Sequence, residues 1–197
     1  MSVESSASIW SRLPALSRAV GAGMAVALAV FAAAAAISAQ DKYTLRVPNG
    51  LAFSEFRGFE DWSTVAVSQS GDLIEVILAN PVMIAAYRAG VTGEGKKFPD
   101  GSKLAKIHWN AKKSTEPGSP IIPDTLHDVD FMVRDGKRFA DSGAWGYAEF
   151  EYDAASDAFR PGTQTDQPPQ GNDAKCGAAC HTIAKNTDFV FTAYPKR

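Results

Sequence analysis

The sequence predicts a mainly β domain of the α+β class, an antiparallel sheet of about five strands decorated by a few short helices. Two observations predict it. Short alternating or apolar runs recur along the chain between clusters of turn residues, the pattern of strands joined by tight connections. Helix signals are confined to two short stretches, near Pro81 and near Cys176, with no repeated strand–helix unit between them.

The elements follow in order. Thr64–Gln69 and Asp72–Asn80 flank Ser70-Gly71 and read as two strands around a tight turn. Pro81 then opens Val82–Gly90, and proline at the first helical position with glycine at the end marks a short helix. Phe98-Pro99-Asp100-Gly101 is a turn. Ser102–Ala111 is a strand, with Lys103, Ala105, Ile107 and Trp109 on one face and Leu104, Lys106, His108 and Asn110 on the other. Lys112–Asp124 holds three prolines and reads as loop; Val129–Asp135 and Trp145–Tyr152 are further strands. Phe159–Ala174 is polar and reads as loop. Cys176–Lys185 suits a short C-terminal helix, and Phe189-Val190-Phe191 packs or pairs after it.

Composition narrows the function. The 197 residues carry 20 basic and 22 acidic side chains; without residues 1–39, the balance is 18 against 21. A near-neutral surface argues against nucleic acid, which needs positive charge to displace counterions. Two cysteines are too few for a disulfide scaffold, and 45 % apolar content argues against disorder.

Residues 1–39 form an address. An uncharged, alanine-rich run from Ala19 to Gln40 follows two arginines and ends in Ala36-Ile37-Ser38-Ala39, the order of a secretory signal cut near Ala39. The run is also long enough to remain as an uncleaved membrane anchor. Either way, residues 40–197 are expected outside the cytoplasm, where cysteines can be oxidised or modified.

Lys175-Cys176-Gly177-Ala178-Ala179-Cys180-His181 carries the chemistry. Two cysteines followed at once by histidine form the c-type haem attachment pattern: each thiol adds to a porphyrin vinyl group, and His181 then lies under the iron as its axial ligand. Three small residues separate the cysteines where the usual spacing is two. Two other readings stand beside it. One is a Cys176–Cys180 disulfide, near the upper distance limit for this spacing on a helix. The other is a zinc site, for which only His108 and His127 remain as partners. Met83 and Met132 are possible iron ligands, although methionine at such spacings belongs more often to a core.

Several separated motifs resemble the cytochrome P-460 family. They are Phe98–Trp109, Arg138-Phe139 with Trp145-Gly146-Tyr147, and Cys176…Cys180-His181-Thr182 followed by Asp188-Phe189-Val190-Phe191-Thr192. The similarity spans roughly residues 45–197. It implies a periplasmic c-type cytochrome, mostly β and usually homodimeric, with histidine-ligated haem c and an open or weakly filled sixth position. Some members oxidise hydroxylamine to nitrous oxide or nitric oxide; a related branch, cytochrome c-prime-beta, binds nitric oxide and carbon monoxide. In the oxidising members a lysine after the Asp-Gly turn is bonded to a haem meso carbon, and Lys106 matches it. If its strand face meets haem, burial favours the neutral, nucleophilic amine. A proton-relaying acid falls near Asp130, with Asp128 close by. An arginine on the strand before Pro81 is matched here by Glu75, replacing a cation with an anion.

Three functions follow from these expectations. The first is an enzyme acting on a small nitrogenous substrate, with Asp130 taking protons and a cytochrome partner taking electrons. The second is a cytochrome that binds a gas or transfers electrons, and the third is a haem-free domain with a Cys176–Cys180 disulfide. A membrane enters only if the leader is retained.

Overall fold

A computed structural model describes residues 40–48, 50–91, 95–162 and 172–196, with side chains of the last segment described from Gly177 onward. The leader assigned to residues 1–39 lies outside the described residues. Among those described, no helix is long and apolar enough to cross a membrane.

Six strands form one antiparallel meander: β1 (Ser63–Ser70), β2 (Leu73–Ala79), β3 (Lys103–Lys113), β4 (Ile121–Arg134), β5 (Trp145–Asp153) and β6 (Ala158–Pro161), paired in chain order. The fold class matches the sequence reading, and three elements correct it. The stretch read as a proline-rich loop supplies the first part of β4, while most of β6 and the start of the C-terminal helix, at Asn172, fall in the stretch read as loop from Phe159. Pro123 is tolerated because it stands opposite Ala111 beyond the register shifts near Trp109, where β4 has not yet met β5, whose pairing begins at Asp128.

Helix α1 (Pro81–Arg88) crosses from β2 toward β3. Asn80 caps it by accepting from the Met83 N–H at 3.1 Å, while its amide donates to the Gly101 carbonyl at 2.8 Å and its oxygen also accepts from the Lys103 N–H. One buried side chain therefore ties the helix start, the turn and β3 together. That turn is where the sequence placed it, and Gly101 takes the left-handed φ of 87° it requires. Helix α2 (Asn172–His181) holds the cysteine motif and runs on into a 3-10 turn over Thr182–Thr187.

The sheet faces differ in kind. On the back, Leu78, Ala105, Val129, Phe131 and Phe150 pack against Phe53, Phe56 and Phe59, which arrive on two short 3-10 turns, and against Val47 and Leu51 from the segment before them. Phe56 stacks on Phe131 with ring centroids 4.0 Å apart. This aromatic core makes the sheet rigid, since truncating one buried phenylalanine costs about 3–5 kcal/mol. On the front, Met83, Tyr87, Leu104, Met132, Trp145 and Val190 fill one end only. The rest of the front face carries Glu75, Lys106, His108, Asp128, Asp130 and Glu149, with Ile77 among them.

Candidate functional site

A cavity of about 520 Å³ lies between the sheet front and the C-terminal segment, a volume in the range of cofactor sites. The sheet contributes Glu75, Ile77, Leu104, Lys106, Asp130, Met132, Tyr147 and Glu149; α2 and the tail contribute Gly177, Cys180, His181, Val190 and Phe191. Strand alternation explains the sheet side. Ile77, Lys106, Asp130 and Glu149 stand directly opposite one another across β2 to β5, so they share one face. Helix α2 approaches closely because Gly177 lacks a side chain: a Cβ there would meet the Tyr147 ring at 3.0 Å.

His181, the last residue of α2, is half-buried between the rings of Tyr147 and Phe191. Its Nδ1–H donates to the Phe189 carbonyl oxygen at 2.6 Å. That bond fixes the tautomer and leaves Nε2 with the lone pair. Burial lowers the imidazole pKa and the Lys106 charge adds to this, while the Phe189 bond opposes it. A neutral imidazole whose other nitrogen donates to a backbone carbonyl is the usual state of a histidine that binds metal.

The carbonyl is held in place by a clamp. Asp188 and Phe189 both adopt left-handed backbone, with φ of 53° and 64°, uncommon for residues with side chains. Buried Asp188 anchors them, accepting from the Phe98 N–H at 2.8 Å and from Arg134 Nε at 3.0 Å. Arg134 Nη1 reaches Asp100 at 2.6 Å, so the clamp extends to the Asp-Gly turn. The Phe189 ring lies against Gly143, where an added Cβ would come within 2.3 Å of it.

Cys180 is an exposed free thiol on the cavity wall, not half of a disulfide. The side chain of Cys176 lies outside the described residues. The zinc reading loses its thiol: His108 and His127 both gather on Asp128, hydrogen-bonded to it through Nδ1. The ligand-type cluster among the described residues is His108, Asp128 and Asp130, without Cys180. Met83 is core in α1, whereas Met132 borders the cavity.

Lys106 faces the cavity, as its strand face required, but as one half of an ion pair: its Nζ lies 3.1 Å from Glu75 Oε1. Burial would raise the Glu75 pKa, yet hydrogen bonds from Ser68 and Lys106 outweigh it and hold the carboxylate below its ordinary range. Asp130 goes the other way. Its side chain keeps 44 % of its surface open to the cavity, yet the surrounding protein first, and then the nearby Asp128 charge, push its pKa up to about 7. The sequence reading names His108 and Asp128 separately but misses Glu149 and the pairing of His108 with Asp128. Their signal was the alternation of Asp128 and Asp130 with Val129 and Phe131, and of Glu149 and Glu151 with Phe150, acid on one face and apolar on the other.

The family model for cytochrome P460 matches residues 56–192. No relative among curated proteins matches the chain. The chain belongs to the cytochrome P460 family and is a haem protein of that family. The donor set fits the group: a thiol and a neutral imidazole on one wall of a cavity whose other wall is the rigid sheet.

Asp188→Ala is expected to lower unfolding stability by about 3–5 kcal/mol, because it leaves the largely buried Arg134 guanidinium and the Phe98 N–H short of a partner. Urea unfolding checks it, and a loss of less than about 1 kcal/mol contradicts the clamp.

Proposed function

We propose that the chain carries haem c joined through Cys176 and Cys180, with His181 as the residue that would hold the iron, and oxidises hydroxylamine in the same cavity. The observation that supports this reading is the shared cavity, with Cys180 and His181 on one wall and Lys106 and Asp130 on the other. When bound, haem supplies a coordination site and an electron acceptor. His181 binds through Nε2, kept available by the Phe189 carbonyl. Ile77, Leu104 and Met132 give the cavity an apolar lining that limits water. Hydroxylamine oxidised to the level of nitrous oxide releases two protons and two electrons per molecule. Asp130 is the proton acceptor, because a pKa near 7 lets it change charge at neutral pH. The electrons leave to a redox partner cytochrome. This reading also places the protein in the periplasm, exported by residues 1–39, held at the inner membrane only if that leader is retained, and working as a homodimer.

One observation favours a second reading, a cytochrome that binds nitric oxide or carbon monoxide or passes electrons. Lys106 sits in an ion pair with Glu75, and an ammonium has no lone pair with which to attack a porphyrin carbon. A cross-link requires Lys106 to leave Glu75 and lose a proton.

Two measurements test the reading. The acid is protonated below its pKa and accepts protons above it, so hydroxylamine oxidation is expected to rise with pH through about 7. Asp130→Asn should lower turnover at least tenfold, within the usual range for a lost acid–base group, and remove that inflection. A variant with the wild-type profile rules Asp130 out. Second, Lys106→Ala should shift the Soret band and abolish turnover if Lys106 is cross-linked. An unchanged spectrum with unchanged turnover sinks the cross-link; an unchanged spectrum in a protein that never turns over hydroxylamine supports the gas-binding or electron-transfer reading.

A further inference from the structure

We propose that Glu75, His108, Asp128 and His127 form a proton exit from the cavity to the surface, with His108 as its relay. The proposal rests on the haem-site reading above and assigns the route by which protons leave that site.

The route is a row across the sheet. Ser68, Glu75, His108 and Asp128 stand directly opposite one another on β1, β2, β3 and β4, one row along from Lys106 and Asp130. Glu75 is the cavity end. Its Oε1 lies 3.6 Å from His108 Nε2, a gap that one water or a small side-chain swing spans. His108 Nδ1 is hydrogen-bonded to one oxygen of Asp128, and the other Asp128 oxygen is hydrogen-bonded to His127 Nδ1. The side chains of His108 and Asp128 are buried, at 8 % and 7 % exposure, while His127 is 49 % exposed. A buried imidazole thus lies between a cavity carboxylate and a surface imidazole. Asp130 stands beside the row, its Oδ2 4.0 Å from His108 Nδ1.

A buried histidine–aspartate pair contributes less to stability than apolar side chains of the same volume would. The back of the same strands shows that this sheet can be packed with phenylalanine. What the polar row adds is proton transfer. Glu75, ionised at rest, takes a proton from the cavity and gives it to His108 Nε2, becoming a carboxylate again, and His108 releases its Nδ1 proton to Asp128. Asp128 passes that proton to Nδ1 of His127 in its Nε2–H tautomer, and His127 releases the Nε2 proton to water. No electrons move, and each group regains its starting state when His108 and His127 both change tautomer. The surrounding charges suit a transient imidazolium. Burial opposes charge on His108, but its bond to Asp128 and the charges of Asp128 and Asp130 outweigh burial and raise its pKa; Lys106 pulls against them. From β5, Glu149 faces Asp130, and Glu151 faces Asp128 and is paired with Arg160. Across the cavity stand Cys180 and His181.

The test uses the haem-loaded protein and needs no hydroxylamine. Photoreduction of the ferric protein at pH 7 adds one negative charge beside the cavity, and a pH-indicating dye reports proton uptake from solvent. Wild type is expected to take up protons in step with reduction. His108→Gln, which keeps a donor toward Asp128 but cannot relay, should slow uptake at least tenfold with the Soret band unchanged. His127→Gln, at the surface, should also slow uptake, and it decides the matter if the buried variant fails to load haem. Wild-type uptake rates in His127→Gln, or in a loaded His108→Gln, overturn the exit, as does a wild type that takes up no proton. Hydroxylamine turnover is measured separately, so a protein that never oxidises it but shows His108-dependent uptake loses the enzyme reading and keeps the exit.

Discussion

The carboxylate of Asp188 is the constraint on which the site depends. It joins segments far apart in the chain, accepting from the Phe98 N–H before the Asp-Gly turn and from Arg134 at the end of β4. That anchorage holds two successive left-handed residues, each costing about 1–3 kcal/mol outside its preferred backbone region, in the one arrangement that sets the Phe189 carbonyl on His181 Nδ1. Without the clamp the backbone would relax and the imidazole would lose the bond that selects its tautomer. With it, the last residue of α2 presents a neutral, oriented nitrogen to a cavity whose far wall is a sheet fixed by its aromatic back face.

The sheet divides its tasks by face. Alternation sends phenylalanines to the back and a graded set of charges to the front, and the antiparallel register sorts those charges into rows. The row over the cavity holds Lys106 and Asp130, and the next row holds Glu75, His108 and Asp128. Cross-row contacts set each group's state: Lys106 and Ser68 keep Glu75 ionised, while the Asp128 charge helps keep the Asp130 pKa high. Glu75 thereby does two things that a cation would not. It forms an ion pair with Lys106, and it gives the cavity a carboxylate next to a buried imidazole.

Local chemistry was legible in the sequence and long-range pairing was not. Pro81 with Gly90, and Asp100 with Gly101, marked α1 and its following turn because backbone restrictions act within a few residues. Alternation put Lys106 on its correct face for the same reason. The first half of β4 was hidden by prolines, since only the register shifts near Trp109 and the absence of a β5 neighbour there make Pro123 harmless. The partnership of His108 with Asp128 needs the β3–β4 register, and that of Asp188 with Phe98 spans 90 residues. Neither spacing leaves a local trace. The three-residue gap in the cysteine motif fits one helix that ends at His181, with Gly177 and Cys180 both on the cavity.

The most direct test of the central claim is the mass of the mature chain after acid–acetone extraction, which strips haem held only by coordination. Expected is a chain heavier by one haem, with a tryptic haem peptide containing Cys176, Cys180 and His181, and an acetone phase free of pigment. A bare chain with haem in the acetone, or a chain that never acquires haem when expressed with the c-type maturation machinery, contradicts it.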